Sequence, residues 1–332
     1  MAKKIKDTQY VFLSTLVRSM ENRLLTKEDT DRMLGSRSAE DAARILEERG
    51  YTGLAGLDVP ELEDKLTADR LAIYAELEKY SPDPDIVRVF RMRYDYHNLK
   101  TLLKAEAVGT DGSEYLSVLG RYSPEELKAA LLRGENTGIP AEFLKTAAAA
   151  RQILAESRDP LPADLLLDKA CYREMHETAE KTDSRCLIGY VRALTDSANL
   201  RTIVRALRQK KEPITLGSLL LEGGSMSPAD TVNALMRGES VAEVFSDSAM
   251  AAPAVLGAEL TDGGSLTEFE RQCDNAVTDY LRSENMVSFG EQPLICYLAA
   301  LDSDVTAIRM ILTGLNAGLD AELIRERLRD TL

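Results

Sequence analysis

Three 22-residue segments of this 332-residue chain align with one another without a gap. They are residues 84–105, 185–206 and 293–314. A chain that repeats itself at a fixed interval folds from copies of one supersecondary unit, so the repeat limits the architecture more than any other feature does. The apolar columns agree: Ile86, Leu187 and Ile295; Val89, Tyr190 and Leu298; Met92, Ala193 and Leu301. They continue as Leu99, Leu200 and Ile308, then Leu102, Ile203 and Ile311, then Leu103, Val204 and Leu312. An acid recurs at Asp95, Asp196 and Asp304, and a base at Lys100, Arg201 and Arg309. Asn98 and Asn199 also match, and Ala307 breaks that column.

Apolar spacings of three and four predict one face of a helix in each segment. The polar patch in the middle, residues 93–98 in the first copy, marks either a polar stripe on one long helix or a bend between two. Pro84 and Pro293 stand where helices begin. A second landmark repeats in the same order: Thr26, Ser123 and Ser227 each precede acids and an apolar residue at Leu34, Leu131 and Leu235. A Ser or Thr oxygen there accepts free backbone N–H groups, and acids suit the positive end of a helix. A third, weaker match pairs Asp69-Arg70, Asp168-Lys169 and Glu270-Arg271.

Breaks rich in Gly, Asp and Ser fall at residues 50–60, 109–113, 222–228 and 262–265. The second and third separate the copies. They predict three tandem helical domains, 1–112 (including an N-terminal helix), 113–222 and 223–332. A unit of about one hundred residues is too long for a solenoid, whose repeats run to roughly 20–50. A ring or funnel of three small domains fits better.

Composition agrees with an all-α fold. Aromatics are 5%, Trp is absent, and the strong helix formers Ala, Leu, Glu and Arg dominate. The formal charge of −14 repels phosphate backbones and the negative inner leaflet, which argues against nucleic-acid or lipid partners. No run approaches the roughly 20 apolar residues of a membrane span. The start, Met1-Ala2-Lys3-Lys4, has the basic character of a signal peptide, but no proper apolar core follows. Cytoplasmic placement is expected. Cys171, Cys186, Cys273 and Cys296 form no Cys-x-x-Cys pair and are expected to be buried and reduced.

The sequence shows no catalytic constellation, and no catalytic, cofactor, metal or partner-binding residue is assigned from it. The two histidines, His97 and His176, recur in neither other copy and are expected to be structural. The pairs Gly223-Gly224 and Gly263-Gly264 lack the Lys-Ser/Thr of a phosphate loop. Asp95, Asp196 and Asp304 would make a hard-oxygen metal site if three-fold packing gathered them, which leaves a carboxylate-metal enzyme as an alternative. The companion bases argue instead for structural ion pairs. The basic runs Arg88, Arg91, Arg93, Lys100, Lys104 and Arg201, Arg205, Arg208, Lys210, Lys211 read as solvated helix faces.

Residues 90–105, FRMRYDYHNLKTLLKA, resemble the hallmark of the family that holds the C subunit of bacterial and archaeal V-type ATP synthases and the d subunit of the eukaryotic vacuolar pump. Val17-Arg18-x-Met20-Glu21-x-x-Leu24-Leu25 resembles that family's opening, although Ser14-Thr15-Leu16 departs from it. Ala307-Ile308-Arg309-x-Ile311 is similar to its third repeat. The resemblance spans almost the whole chain and implies a pseudo-three-fold funnel of helical domains with no catalytic residues or cofactor. It further implies an adaptor between the membrane proteolipid ring and the central shaft of a rotary ATPase. An unrelated helical scaffold is the remaining alternative.

Overall fold

A computed structural model of the chain describes residues 5–135, 138–157 and 159–331. The basic start, residues 1–4, lies outside the described residues. Among the described residues every regular element is helical. The first five α-helices are α1 Val11–Met20, α2 Lys27–Leu34, α3 Ala39–Glu47, α4 Val59–Tyr80 and α5 Asp85–Val108. Next come α6 Pro124–Arg133, α7 Ala141–Ser157, α8 Pro160–Thr182 and α9 Arg185–Arg208. The remainder are α10 Pro213–Leu216, α11 Pro228–Met236, α12 Val241–Val244, α13 Ala251–Glu259, α14 Thr267–Glu284, α15 Gln292–Asn316 and α16 Ala321–Arg325.

The three aligned segments are α5, α9 and α15, each a single unbroken helix. The polar patch is thus a stripe on a long helix and not a bend. Every aligned apolar column is buried in all three. Each fully buried Leu or Ile there contributes about 1.5–3 kcal/mol, so propensity is secondary to packing. Pro84 is the N-cap of α5, and Pro293 sits in the first turn of α15. There the missing N–H costs nothing.

The second landmark also holds. Thr26, Ser123 and Ser227 cap α2, α6 and α11, accepting from the backbone N–H groups of Asp29, Glu126 and Asp230. Such a cap contributes about 1 kcal/mol. The third landmark lies on α4, α8 and α14, the long helices that precede α5, α9 and α15.

Apolar packing joins these elements in a definite order. α5 lies against α7 and α8, and α9 lies against α13 and α14. α15 lies against α1, α3 and α4, and it also meets both α5 and α9. Phe90 of α5 stacks on Tyr190 of α9 with ring centroids 5.1 Å apart. The buried apolar side chains form one continuous cluster from Tyr10 to Ile324. All four cysteines are buried in it and unpaired. Burial pushes the Cys171 and Cys273 thiols up to about 12, and contact with Cys296 together with burial pushes Cys186 up too. No described helix is long and apolar enough to cross a membrane.

Candidate functional site

The repeated polar residues are the place to look for chemistry, and the structure uses all of them. Asp95, Asp196 and Asp304 are at most 3% exposed. Each projects from the middle of a long helix and holds the chain just ahead of a capped helix. Asp95 accepts from the Tyr122 N–H at 3.2 Å and from the Arg121 guanidinium at 2.6 Å. Asp196 accepts from the Ser225 N–H at 2.8 Å and its hydroxyl at 2.6 Å. Asp304 accepts from the Leu25 N–H at 2.8 Å and the Tyr51 hydroxyl at 3.4 Å. Tyr122, Ser225 and Leu25 stand one or two residues before the caps Ser123, Ser227 and Thr26. α5 therefore holds the start of α6, α9 holds the start of α11, and α15 returns to hold the start of α2.

Burial raises all three carboxyls above the usual aspartate range. Arg121 opposes this at Asp95, and the Ser225 bonds oppose it at Asp196. Asp304 has a backbone N–H, a long hydroxyl contact and the more distant charge of Arg49 to offset burial, and it is pushed up to about 8. The three aspartates do not share a site. Among the described residues no group of three His, Cys, Asp or Glu side chains stands close enough to hold a metal ion. The carboxylate-metal alternative called for the three to be gathered at one point.

Asn98 and Asn199 grip the same loops. Asn98 accepts from the Ser117 N–H at 2.7 Å and donates to the Ser117 carbonyl at 2.7 Å. Asn199 does the same to Leu221, at 2.8 and 2.9 Å. Ala307 cannot. The corresponding stretch before Thr26 is the end of α1, whose backbone bonds are made within its own helix.

The bases do not pair with the aspartates on their own segments, contrary to the expectation. Lys100 reaches Asp168 of α8 at 2.6 Å, Arg201 pairs with Asp274 of α14, and Arg309 pairs with Glu63 of α4. The order is again each long helix to the next penultimate helix, and the last back to the first. Several of the remaining bases are tied inside the molecule as well. Arg91 binds Glu78 and the Leu119 carbonyl, Lys104 binds Asp164, Arg205 binds Glu270, and Arg208 binds the Gly264 carbonyl. Arg88, Arg205, Lys210 and Lys211 nonetheless stay exposed, so the runs are partly solvated as expected and partly spent on internal ties. Sequence spacing places a base on a helix face but does not say which helix faces it.

A polar cavity of about 620 Å³ opens between α4, α5, α15 and residues 114–119. At its wall Asp302 accepts from Arg70 at 3.1 Å, from the Tyr74 hydroxyl at 2.9 Å and from Arg93. Arg93 and Asp302 occupy the same column of the aligned segments, so equivalent positions of α5 and α15 touch. Partial loss of solvent works against the Arg93 charge, and Asp302 with the neighbouring tyrosines reverses this, leaving the guanidinium well above its ordinary value. A side chain so held is a fixed charge and not a proton carrier. Sequence patterning gave no signal for this node, because Arg70 and Asp302 are 232 residues apart.

The histidines are structural in their contacts. His97 Nε2 meets the Tyr115 carbonyl at 3.0 Å. His176 Nε2 meets Thr195 Oγ1 at 2.9 Å, and that hydroxyl already donates to the Val191 carbonyl. His176 therefore donates to Thr195, the reverse of a base activating a nucleophile. Burial lowers its ionisation further.

The fold and these sites define an all-helical scaffold whose polar residues are spent on holding helices together. The family profile of the ATP synthase (C/AC39) subunit matches residues 13–327, and the chain belongs to that family. It is accordingly an accessory component of an ATPase complex and not a catalytic one. It is 25% identical to the C subunit of the V-type sodium ATPase of Enterococcus hirae, over 97% of this chain and 98% of the relative. It is 25% identical to the C subunit of the A-type ATP synthase of Methanosarcina mazei, over 98% and 94%. Against the C subunit of the V-type ATP synthase of Thermus thermophilus it is 27% identical over 69% and 72%.

Proposed function

We propose that the chain is the central-stalk adaptor of a V-type or A-type rotary ATPase. It joins the shaft of the soluble head to the membrane proteolipid ring, at the cytoplasmic face, during ATP-linked proton or sodium transport. In this reading residues 1–112, 113–222 and 223–332 are three helical domains in a pseudo-three-fold funnel. The observation that carries it is the cyclic order of the ties. Lys100–Asp168, Arg201–Asp274 and Arg309–Glu63 link first to second, second to third and third to first. The aspartates repeat that order, and Arg93 meets Asp302 where equivalent helices converge. A closed body of this kind resists twisting better than an open array, which suits a part that passes torque. The polar cavity, with fixed charges of both signs, suits a protein partner.

Affinity capture of the tagged chain from detergent-solubilised membranes of its source tests the reading. Recovery of proteolipid and shaft subunits is expected. Recovery of neither, from membranes whose rotary complex is intact, would overturn it.

A further inference from the structure

The three junction aspartates are not equally served. Asp95 faces the Arg121 guanidinium. Asp196 takes two bonds from one serine and lies in the field of Arg192. Among the described residues no cation pairs with Asp304. Its Oδ2 takes both contacts, and the Tyr51 bond is at the long limit. The near cation, Arg49, is bound to Asp29 at 2.9 Å, and Asp29 adds a second negative charge beside Asp304. This junction is also the one that fastens the end of the chain to its beginning.

We propose that the junction between α15 and residues 25–34 is a proton-sensitive clasp, closed by the neutral Asp304 side chain and loosened when that side chain ionises. A neutral carboxyl accepts the Leu25 N–H without needing a counter-charge. A carboxylate in the same place needs water or a cation, and burial without either is strongly unfavourable. Opening the junction admits water, so ionisation and opening are coupled.

Ionisable groups face Asp304 from each element packed against it. Tyr51, after α3, and Tyr297 of α15 are pushed upward by burial and stay neutral. Asp29 of α2 holds Arg49. On α4, Asp69 is bound by Lys65, and Glu76 lies further along the helix. In the turn after α1, Glu21 is bound by Arg18, and Arg23 lies near Tyr297. The folded-state value of about 8 for Asp304 lies above the ordinary 3.8. The folded chain thus keeps a proton that the unfolded chain releases. The clasp's contribution is complete below about pH 4 and is lost as the pH rises through about 8.

Hydrogen exchange of the full chain between pH 6.5 and 9.5, corrected for intrinsic rates, tests this. The amides of residues 25–34 should lose protection by about tenfold or more as ionisation proceeds, with α11 behind Asp196 as the internal control. Asp304→Asn keeps the acceptor for Leu25 and cannot ionise, so its protection should stay flat. Parallel loss in the variant and the native chain would overturn the proposal. Should the variant not fold, the native chain still decides, because flat protection of residues 25–34 relative to α11 also overturns it.

Discussion

At residues 117–122 and 221–225 the chain is gripped twice by the long helix that precedes it, α5 or α9, once by an Asn and once by an Asp. At residue 25 the grip is single. Ser117 and Leu221 lie outside the helices, so their N–H and C=O groups need outside partners. Asn98 and Asn199 supply these as matched donor and acceptor pairs. At the third junction α1 replaces the loop and satisfies its own backbone, which makes Ala307 sufficient. Glycine follows the same division. A Cβ on Gly120 would stand 2.4 Å from the Asp95 carboxylate, and one on Gly224 would stand 2.5 Å from that of Asp196. Three residues before Thr26 the chain has Arg23 instead. The junctions thus share a purpose, and their chemistry follows from what the incoming backbone lacks.

Substitutions can break this comparison in order of size. Asp95→Ala removes a partner of the buried Arg121 and should cost about 3–4 kcal/mol in urea denaturation at pH 7. A cost below that of Asp304→Ala would show that the cation at the first junction adds nothing. Asn199→Ala strands both polar groups of Leu221 and should cost about 2–3 kcal/mol by the same measurement. Gly224→Ala forces the loop off Asp196 and should lower stability by about 1–3 kcal/mol. The double variant Gly224→Ala/Asp196→Ala should lose less than the two single changes added together. Ala307→Asn sharpens the contrast, because the new amide meets a backbone that is already bonded. It should destabilise by about 1–2 kcal/mol, where an Asn helps at the other two junctions. Lys100→Ala is the smallest at under about 1 kcal/mol, since its pair with Asp168 is partly exposed, and the loss should shrink further in high salt.

Much of the architecture was legible in the sequence. The apolar columns, the three caps and the repeat order all follow from local rules of helix periodicity and capping. What the repeated polar residues do was not legible. Asp95 and Lys100 lie five residues apart, and proximity in sequence suggested a pair. In the fold they project to different neighbours, one to a loop amide and one to α8. A backbone amide leaves no mark in a sequence, so the partner of Asp304, 279 residues away, had no signal of its own. The matched glycines Gly120 and Gly224 were the available clue, since a glycine ahead of a cap marks a close approach of backbone to something.

The four cysteines carry a practical consequence. Thiolates are the species that react with maleimides; all four thiols are hidden, and burial holds those of Cys171 and Cys273 protonated. A single cysteine introduced at an exposed position, such as Met286, therefore takes a fluorophore without removal of the native ones.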